Sequence, residues 1–261
     1  MNTADRLLSI LQLFTPERPE WTIDEAAKEL DVSKSTAYRY FRSLSKIGLT
    51  SPFDNGNYVL GPAIIEFDRQ IRSNDPLIKV GRPAMQRLIA RSDSSGTALL
   101  CRVFRNCVMC VHQESKIQFE NPIGYERGRP MPMFRGASSK IIFANLPSRS
   151  ARWVFSRFPD EIAAAGLGSD WVAAKANLRR IRKVGFHVAW GEVDSDHVGI
   201  AAPIFGPQNR VLGSISMVLL QSEATPEHVA NVSALVQAAG REICAGLVLL
   251  SQAMAPGIAL R

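Results

Sequence analysis

Cysteine is scarce in this sequence. The 261 residues hold four, Cys101, Cys107, Cys110 and Cys244, too few and too clustered for a disulfide framework, so reduced thiols are expected. Long apolar runs are missing as well. No segment approaches the roughly 20 consecutive apolar residues that a bilayer span needs, and acidic and polar residues interrupt Met1 to Thr15 where a signal peptide would be apolar. A cytoplasmic chain with no membrane partner is the expectation. Repeats and low-complexity tracts are absent too, and 46% hydrophobic beside 21% charged residues is an ordinary globular composition. His112, His187 and His197 lack helical ligand spacing and read as structural or pocket-edge residues. Residues three apart in a strand point to opposite faces, so Cys107 and Cys110 are poorly placed to share an ion. Neither a metal nor a cofactor is expected. Nucleophile–base–orienter sets, phosphate loops and paired carboxylates are also wanting, which argues against an enzyme.

Acidic residues are missing from one place in particular. The chain carries a net charge of +7, yet residues 1–61 hold seven Lys/Arg and eight Asp/Glu, which leaves 24 basic and 16 acidic residues for 62–261. Bulk basicity therefore says nothing about the first segment. Within it, Ser33 to Gly48 contains Lys34, Arg39, Arg42 and Lys46 and no acid, after a stretch with Asp24, Glu25, Glu29 and Asp31. That local asymmetry suits a helix that faces a polyanion.

What is present along the chain is punctuated clearly. Leu7, Leu8, Ile10, Leu11 and Phe14 recur at helical spacing over Ala4 to Phe14, before Pro16 and Pro19 break the pattern. Thr22-Ile23-Asp24-Glu25 fits a capping box for a second helix running to about Leu30. Asp31-Val32-Ser33 reads as a short turn, with Ser33 capping a third helix, Lys34 to Ile47, that ends at Gly48 and keeps Ala37, Phe41 and Leu44 inside. This is helix-turn-helix spacing. Asn55-Gly56 between apolar runs predicts a hairpin, a wing, and Gly61-Pro62 opens a further helix to Ser73. Beyond Leu77 the texture alternates. Thr97 to Phe104, Cys107 to Glu114, Val198 to Phe205 and Val211 to Leu220 read as strands of a mostly antiparallel sheet. Helices at Leu77 to Ala90, Ser138 to Asn145, Ala151 to Phe158, Asp170 to Val184 and Pro226 to Leu250 would cover it. The predicted class is α+β, with domains at 1–61, a linker helix at 62–76, a second domain at 77–250 and a tail at 251–261.

The run from Ala26 to Arg39, with Leu44 and Gly48 after it, resembles the IclR family of bacterial transcription regulators. So do Gly128-Arg129-Pro130-Met131-Pro132, Ala137-Ser138-Ser139-Lys140, Gly185-Phe186 leading to Glu192, Gly199 to Phe205, and Leu212 to Ser216. The resemblance spans nearly the whole chain. It implies a winged helix-turn-helix, a GAF-like effector-binding domain, a small organic effector and a homodimer or tetramer on a double-stranded DNA operator. Two recognition helices would meet a pseudo-palindromic site, their separation set through the helix Pro62 to Ser73.

Exposed positions at the start of the third helix would then read DNA: Ser33, Lys34, Ser35, Thr36, Tyr38, Arg39 and Arg42, the two arginines at guanine edges or phosphates. Transferred family pocket positions are Ala137, Ser138, Ala189, Gly199, Ser216 and Val218. Gly136 to Ser139 opens a helix whose free N–H groups favour a carboxylate. Ala189 and Gly199 imply a roomier, less polar pocket, and Phe134, Trp190 and Met217 nearby suggest an aromatic acid. Lys140 is expected to pair locally. Two rival readings are an enzyme built on the second domain and a DNA-binding scaffold that ignores ligands.

Overall fold

The computed structural model describes residues 2–116 and 123–254. The chain divides into two compact units, Met1–Asn74 and Asp75–Arg261.

The first unit runs α1 (Thr3–Ser9), β1 (Trp21–Thr22), α2 (Ile23–Glu29), α3 (Lys34–Lys46), β2 (Thr50–Pro52), β3 (Asn57–Leu60) and α4 (Ala63–Asn74). Its local signals act as the residues dictate. Thr22 and Glu25 form a reciprocal capping box at α2, and the Ser33 hydroxyl accepts from the Thr36 N–H at α3. Asp31 turns the chain at φ 50°. The core is Ile10, Trp21, Ala26, Phe41 and Leu44, joined by Tyr40, which the sequence reading left out. Phe41 lies 4.6 Å from Tyr58 between ring centroids, so the wing strand is pinned to α3 by an aromatic pair. A two-residue strand was not foreseen: Trp21 and Thr22 pair with Tyr58 and Asn57, making the hairpin a three-stranded sheet of order β1-β3-β2.

The second unit runs α5 (Pro76–Arg91), β4 (Thr97–Phe104), β5 (Cys107–Ser115), β6 (Pro130–Pro132), α6 (Ala137–Asn145), α7 (Ser148–Arg157), α8 (Pro159–Ala164), α9 (Trp171–Val184), β7 (His187–Trp190), β8 (His197–Phe205), β9 (Val211–Leu220) and α10 (Pro226–Met254). All pairings in the six-stranded sheet are antiparallel, in the order β6-β5-β4-β9-β8-β7. Both faces are covered, and alternation sorts the side chains between them. Ala98, Leu100, Ile200, Ala202, Ile215, Met217 and Leu219 pack with α5 and α10. Leu99, Cys101, Ala201 and Val218 pack toward α6 and α9.

α10 corrects one sequence statement. It is long and apolar enough to cross a membrane by length and composition, with a mean hydropathy of 1.4 in its most apolar window. Counting uninterrupted apolar residues passed over it because Glu227, His228, Arg241 and Glu242 break the run. Its stripe of Val232, Val236, Ala239, Ile243 and Leu247 is buried in the sheet core, the behaviour of a core helix. It also outruns Leu250, the end read from the sequence, and reaches Met254; the rest of the expected tail lies outside the described residues.

Candidate functional site

The outer surface of α3 is polar and open. Ser35, Tyr38, Arg39 and Arg42 are exposed, while Ala37, Tyr40, Phe41 and Leu44 are buried. Arg39 and Arg42 have no hydrogen-bond or ion-pair partner among the described residues. Ser33 and Thr36 are engaged with each other through their hydroxyls at 2.8 Å, and Ser33 also meets the Ser35 hydroxyl at 3.0 Å. These three build the helix start. Lys34 pairs with Asp24 of α2 at 2.8 Å, both side chains well exposed; a pair in that setting contributes at most about 1 kcal/mol and gives way readily to a phosphate. Lys46 is exposed on the same stripe as Ser35, Tyr38, Arg39 and Arg42. The sequence reading counted it as basic without placing it, although helical period alone would have done so. The wing between Thr50 and Leu60 carries no Lys or Arg, and its tip is closed by Asp54, which accepts from the Asn55 amide.

In the second unit, all six transferred pocket positions line one cavity: Ala137 and Ser138 from α6, Ala189 from β7, Gly199 from β8, and Ser216 and Val218 from β9. Strand pairing explains the convergence, because Ala189 lies opposite Gly199 and Gly199 opposite Val218. The cavity measures about 430 Å³ with its mouth. Part of its wall is built on a hydroxyl chain: Ser138 Oγ donates to Ser216 Oγ at 2.8 Å, and Ser214 Oγ donates to the Ser138 carbonyl at 3.2 Å. Tyr125 and Ser139 share a hydrogen bond of 2.8 Å, and burial pushes the Tyr125 phenol well above its ordinary range, so it stays protonated.

Several expectations need correction. Met217 and Trp190 do not face the cavity. Each is one residue along a strand from a lining residue and so points the other way, Met217 into the α5 and α10 core and Trp190 to solvent. Phe134 instead meets Phe158 in a tilted ring pair, 5.6 Å between centroids. The cavity beside Ala189 and Gly199 is lined as well by Leu99, Ile123, Tyr125 and Val193, side chains that no local pattern brings there. Lys140 does not pair locally either. It is buried, and its Nζ donates to Glu192 Oε1 at 2.7 Å and to the Ala165 carbonyl at 2.9 Å.

Glu192 matters more than the sequence suggested. Its second oxygen accepts from the Gly136 N–H at 2.9 Å, at the N-terminus of α6, so the protein's own carboxylate takes one of the donors expected to await a ligand. Gly136 can sit there because its φ of 79° suits glycine. Asp194, also lining the cavity, accepts from the Gly124 N–H at 2.7 Å. The cavity thus offers donors at the α6 start and acceptors in the 192–194 loop. Among the described residues no cluster of three His, Cys, Asp or Glu could hold a metal ion. Cys110 is buried while Cys107 is partly exposed, on the two sides of β5.

A winged helix-turn-helix followed by a sheet domain that encloses a small cavity defines a DNA-binding regulator with an effector-binding domain. Residues 3–51 match the IclR helix-turn-helix domain, and residues 70–245 match the C-terminal domain of bacterial transcriptional regulators of the IclR type. The chain belongs to the IclR family of bacterial transcriptional regulators. Curated relatives include the HTH-type transcriptional regulator KipR of Bacillus subtilis, 22% identical with 92% of this chain and 95% of that protein covered. Another is the Pca operon regulatory protein of Acinetobacter baylyi, 21% identical over 90% of this chain and 85% of that protein. Among solved structures, an IclR transcriptional regulator from Alicyclobacillus acidocaldarius shares the fold with a TM-score of 0.75 and 21% identity, covering 94% of this chain and 98% of the other. An IclR homologue from Microbacterium hydrocarbonoxydans, complexed with 4-hydroxybenzoate, gives a TM-score of 0.72 at 20% identity, with 94% and 99% covered.

Proposed function

We propose that this regulator binds a pseudo-palindromic double-stranded DNA operator as a homodimer or tetramer, and that a small organic carboxylate in the cavity adjusts that binding and with it the expression of metabolic genes. Ser33, Lys34, Ser35, Thr36, Tyr38, Arg39 and Arg42 are the proposed DNA contacts, with Arg39 and Arg42 as the main ones and Lys34 recruited from its pair with Asp24. Effector contacts are Ala137, Ser138, Ala189, Gly199, Ser216 and Val218. The observation that carries the ligand reading is the cavity itself, in which all six positions converge beside the start of α6. Apolar walls from Leu99, Ile123 and Val218 suit a ring. The first N–H groups of α6 suit a carboxylate, and Asp194 suits a hydroxyl that donates to it. An aromatic acid bearing a hydroxyl has all three features, and the relative complexed with 4-hydroxybenzoate is consistent with that class.

A thermal-shift comparison tests it. 4-Hydroxybenzoate should raise the melting temperature in proportion to the logarithm of its concentration, benzoate less so, and small keto acids hardly at all. Stabilisation by the keto acids alone would overturn the aromatic reading. Titrating operator binding with the stabilising ligand then separates the rivals: turnover of the ligand indicates an enzyme, unchanged DNA affinity a scaffold, and a shift without turnover the regulator.

A further inference from the structure

Beside the effector cavity, and sharing none of its lining, lies a second concavity of about 680 Å³ with its mouth, between α9, the turn at 166–167 and β7. Among the described residues its polar lining is Lys140, Asn177, Arg180 and His187, with no carboxylate. His187 and Ala189 are two apart on β7 and so share a face: one opens on this cleft, the other on the effector cavity. α6 divides in the same way, giving Ala137 and Ser138 to the cavity and Lys140 to the cleft.

The donors here are incompletely used. Lys140 carries three N–H groups and spends two, on Ala165 and Glu192. Arg180 is exposed and has no hydrogen bond or ion pair among the described residues. The Nε2 of His187 is buried with no hydrogen-bond partner among the described residues, and a buried polar atom left so is costly unless something meets it. The helix on one side has charge of one sign: α9 carries Lys175, Arg179, Arg180, Arg182 and Lys183 and no acid. Around His187 stand Lys140 from α6, Arg180 from α9 and Glu192 from the loop after β7. Burial first, then the Lys140 cation, hold its imidazole down to about 4, with Arg180 adding to the effect and Glu192 opposing it.

Arg182 donates to the Ala144 and Leu146 carbonyls, and the complement that cations give to a helix C-terminal dipole accounts for Lys183. Neither accounts for a concave cleft with an unpartnered imidazole nitrogen on its wall, a spare ammonium proton and a free guanidinium. We infer that this cleft is a second binding site, for a small oxyanion, gripped by Arg180 and met inside by Lys140 and His187. The oxyanion is free phosphate or the phosphate or carboxylate group of a metabolite. This site stands whether or not the effector reading above holds.

The full-length protein provides the test. Inorganic phosphate, acetate and chloride are titrated at constant ionic strength and pH 6 while the imidazole resonances of His187 are followed by NMR, assigned by their loss in His187→Gln. The expected result is a saturable shift toward the protonated imidazole with phosphate, acetate or both, the responding anion identifying the source. Arg180→Ala should weaken that response about tenfold or more, since it removes a charge-assisted contact. Lys175→Ala, on the same helix outside the cleft, should leave it intact. Arg180 has no partner to lose, so its variant remains folded. No saturation with either oxyanion, an equal response to chloride, or equal losses in the two variants would each overturn the proposal.

Discussion

Arg39 and Arg42 stand out from the exposed face of α3 by having nothing else to do, whereas Lys34 is paired and Ser33 and Thr36 are occupied in the cap. Arg39→Ala or Arg42→Ala should therefore weaken operator binding by about 1–3 kcal/mol if the side chain reads a guanine edge, and each lost phosphate contact should lower the salt dependence by about one charge. Fluorescence anisotropy across a salt series measures both, and ligand affinity should not change. His187 supplies a pH prediction. Its folded value is depressed from 6.5 to about 4, so the unfolded chain takes up a proton first as the solution is acidified. This group adds nothing above pH 6.5, and its destabilising effect grows as pH falls toward 4. Urea midpoints between pH 7 and 4 should fall less steeply in His187→Gln than in the parent. At this scale the sequence was legible where a residue's exposure follows from the period of its own helix, as for Arg39. It was opaque where partners lie far apart in the chain: Lys140 finds Glu192 52 positions away, and no local spacing announces that.

Elements were readable in proportion to their length. The long strands β4, β8 and β9 and the helices α3, α5 and α9 fall within a few residues of their predicted ends, because each carries several turns or alternations of pattern. β1, β6 and β7 hold two to four residues and exist only because a neighbouring strand pairs with them; their sequences contain no period to detect. β7 was the costly omission. Without a strand read over 187–190, the alternation that sends Trp190 away from Ala189 is hidden. The start of α3 tests how far one cap governs a working element. Ser33→Ala removes the acceptor for Thr36 N–H and should cost about 1 kcal/mol, seen as a lower melting temperature. It should also weaken DNA binding with Arg39 and Arg42 untouched, because the helix start frays. If stability falls and DNA affinity holds, that end of α3 does not dock.

For the whole molecule, the boundary between the units coincides with a cap. Asp75 accepts from the Leu77 N–H at 2.8 Å and pairs with Arg102 on β4, so the second unit begins with a residue that fastens its own first helix. A fragment of residues 75–254 should accordingly unfold cooperatively and bind ligand with the affinity of the full chain, whereas one beginning at 77 should melt lower. Calorimetry with ligand titration decides, and loss of binding in the 75–254 fragment would mean that the cavity needs the first unit. If ligand and operator are coupled, DNA must alter ligand affinity by the factor by which ligand alters DNA affinity.

The carboxylate of Glu192 on Gly136 has one more consequence. An incoming acid that reaches for the same N–H meets a resident competitor tethered in place, whose effective concentration no dilution reduces. A bare anion such as acetate gains little by exchanging one carboxylate for another. An acid that also brings a ring into the apolar walls gains the burial of that ring as surplus. The effector cavity would thus be deaf to the ordinary background of small cellular anions, a filter obtained from a single side chain that answers the helix before the signal arrives.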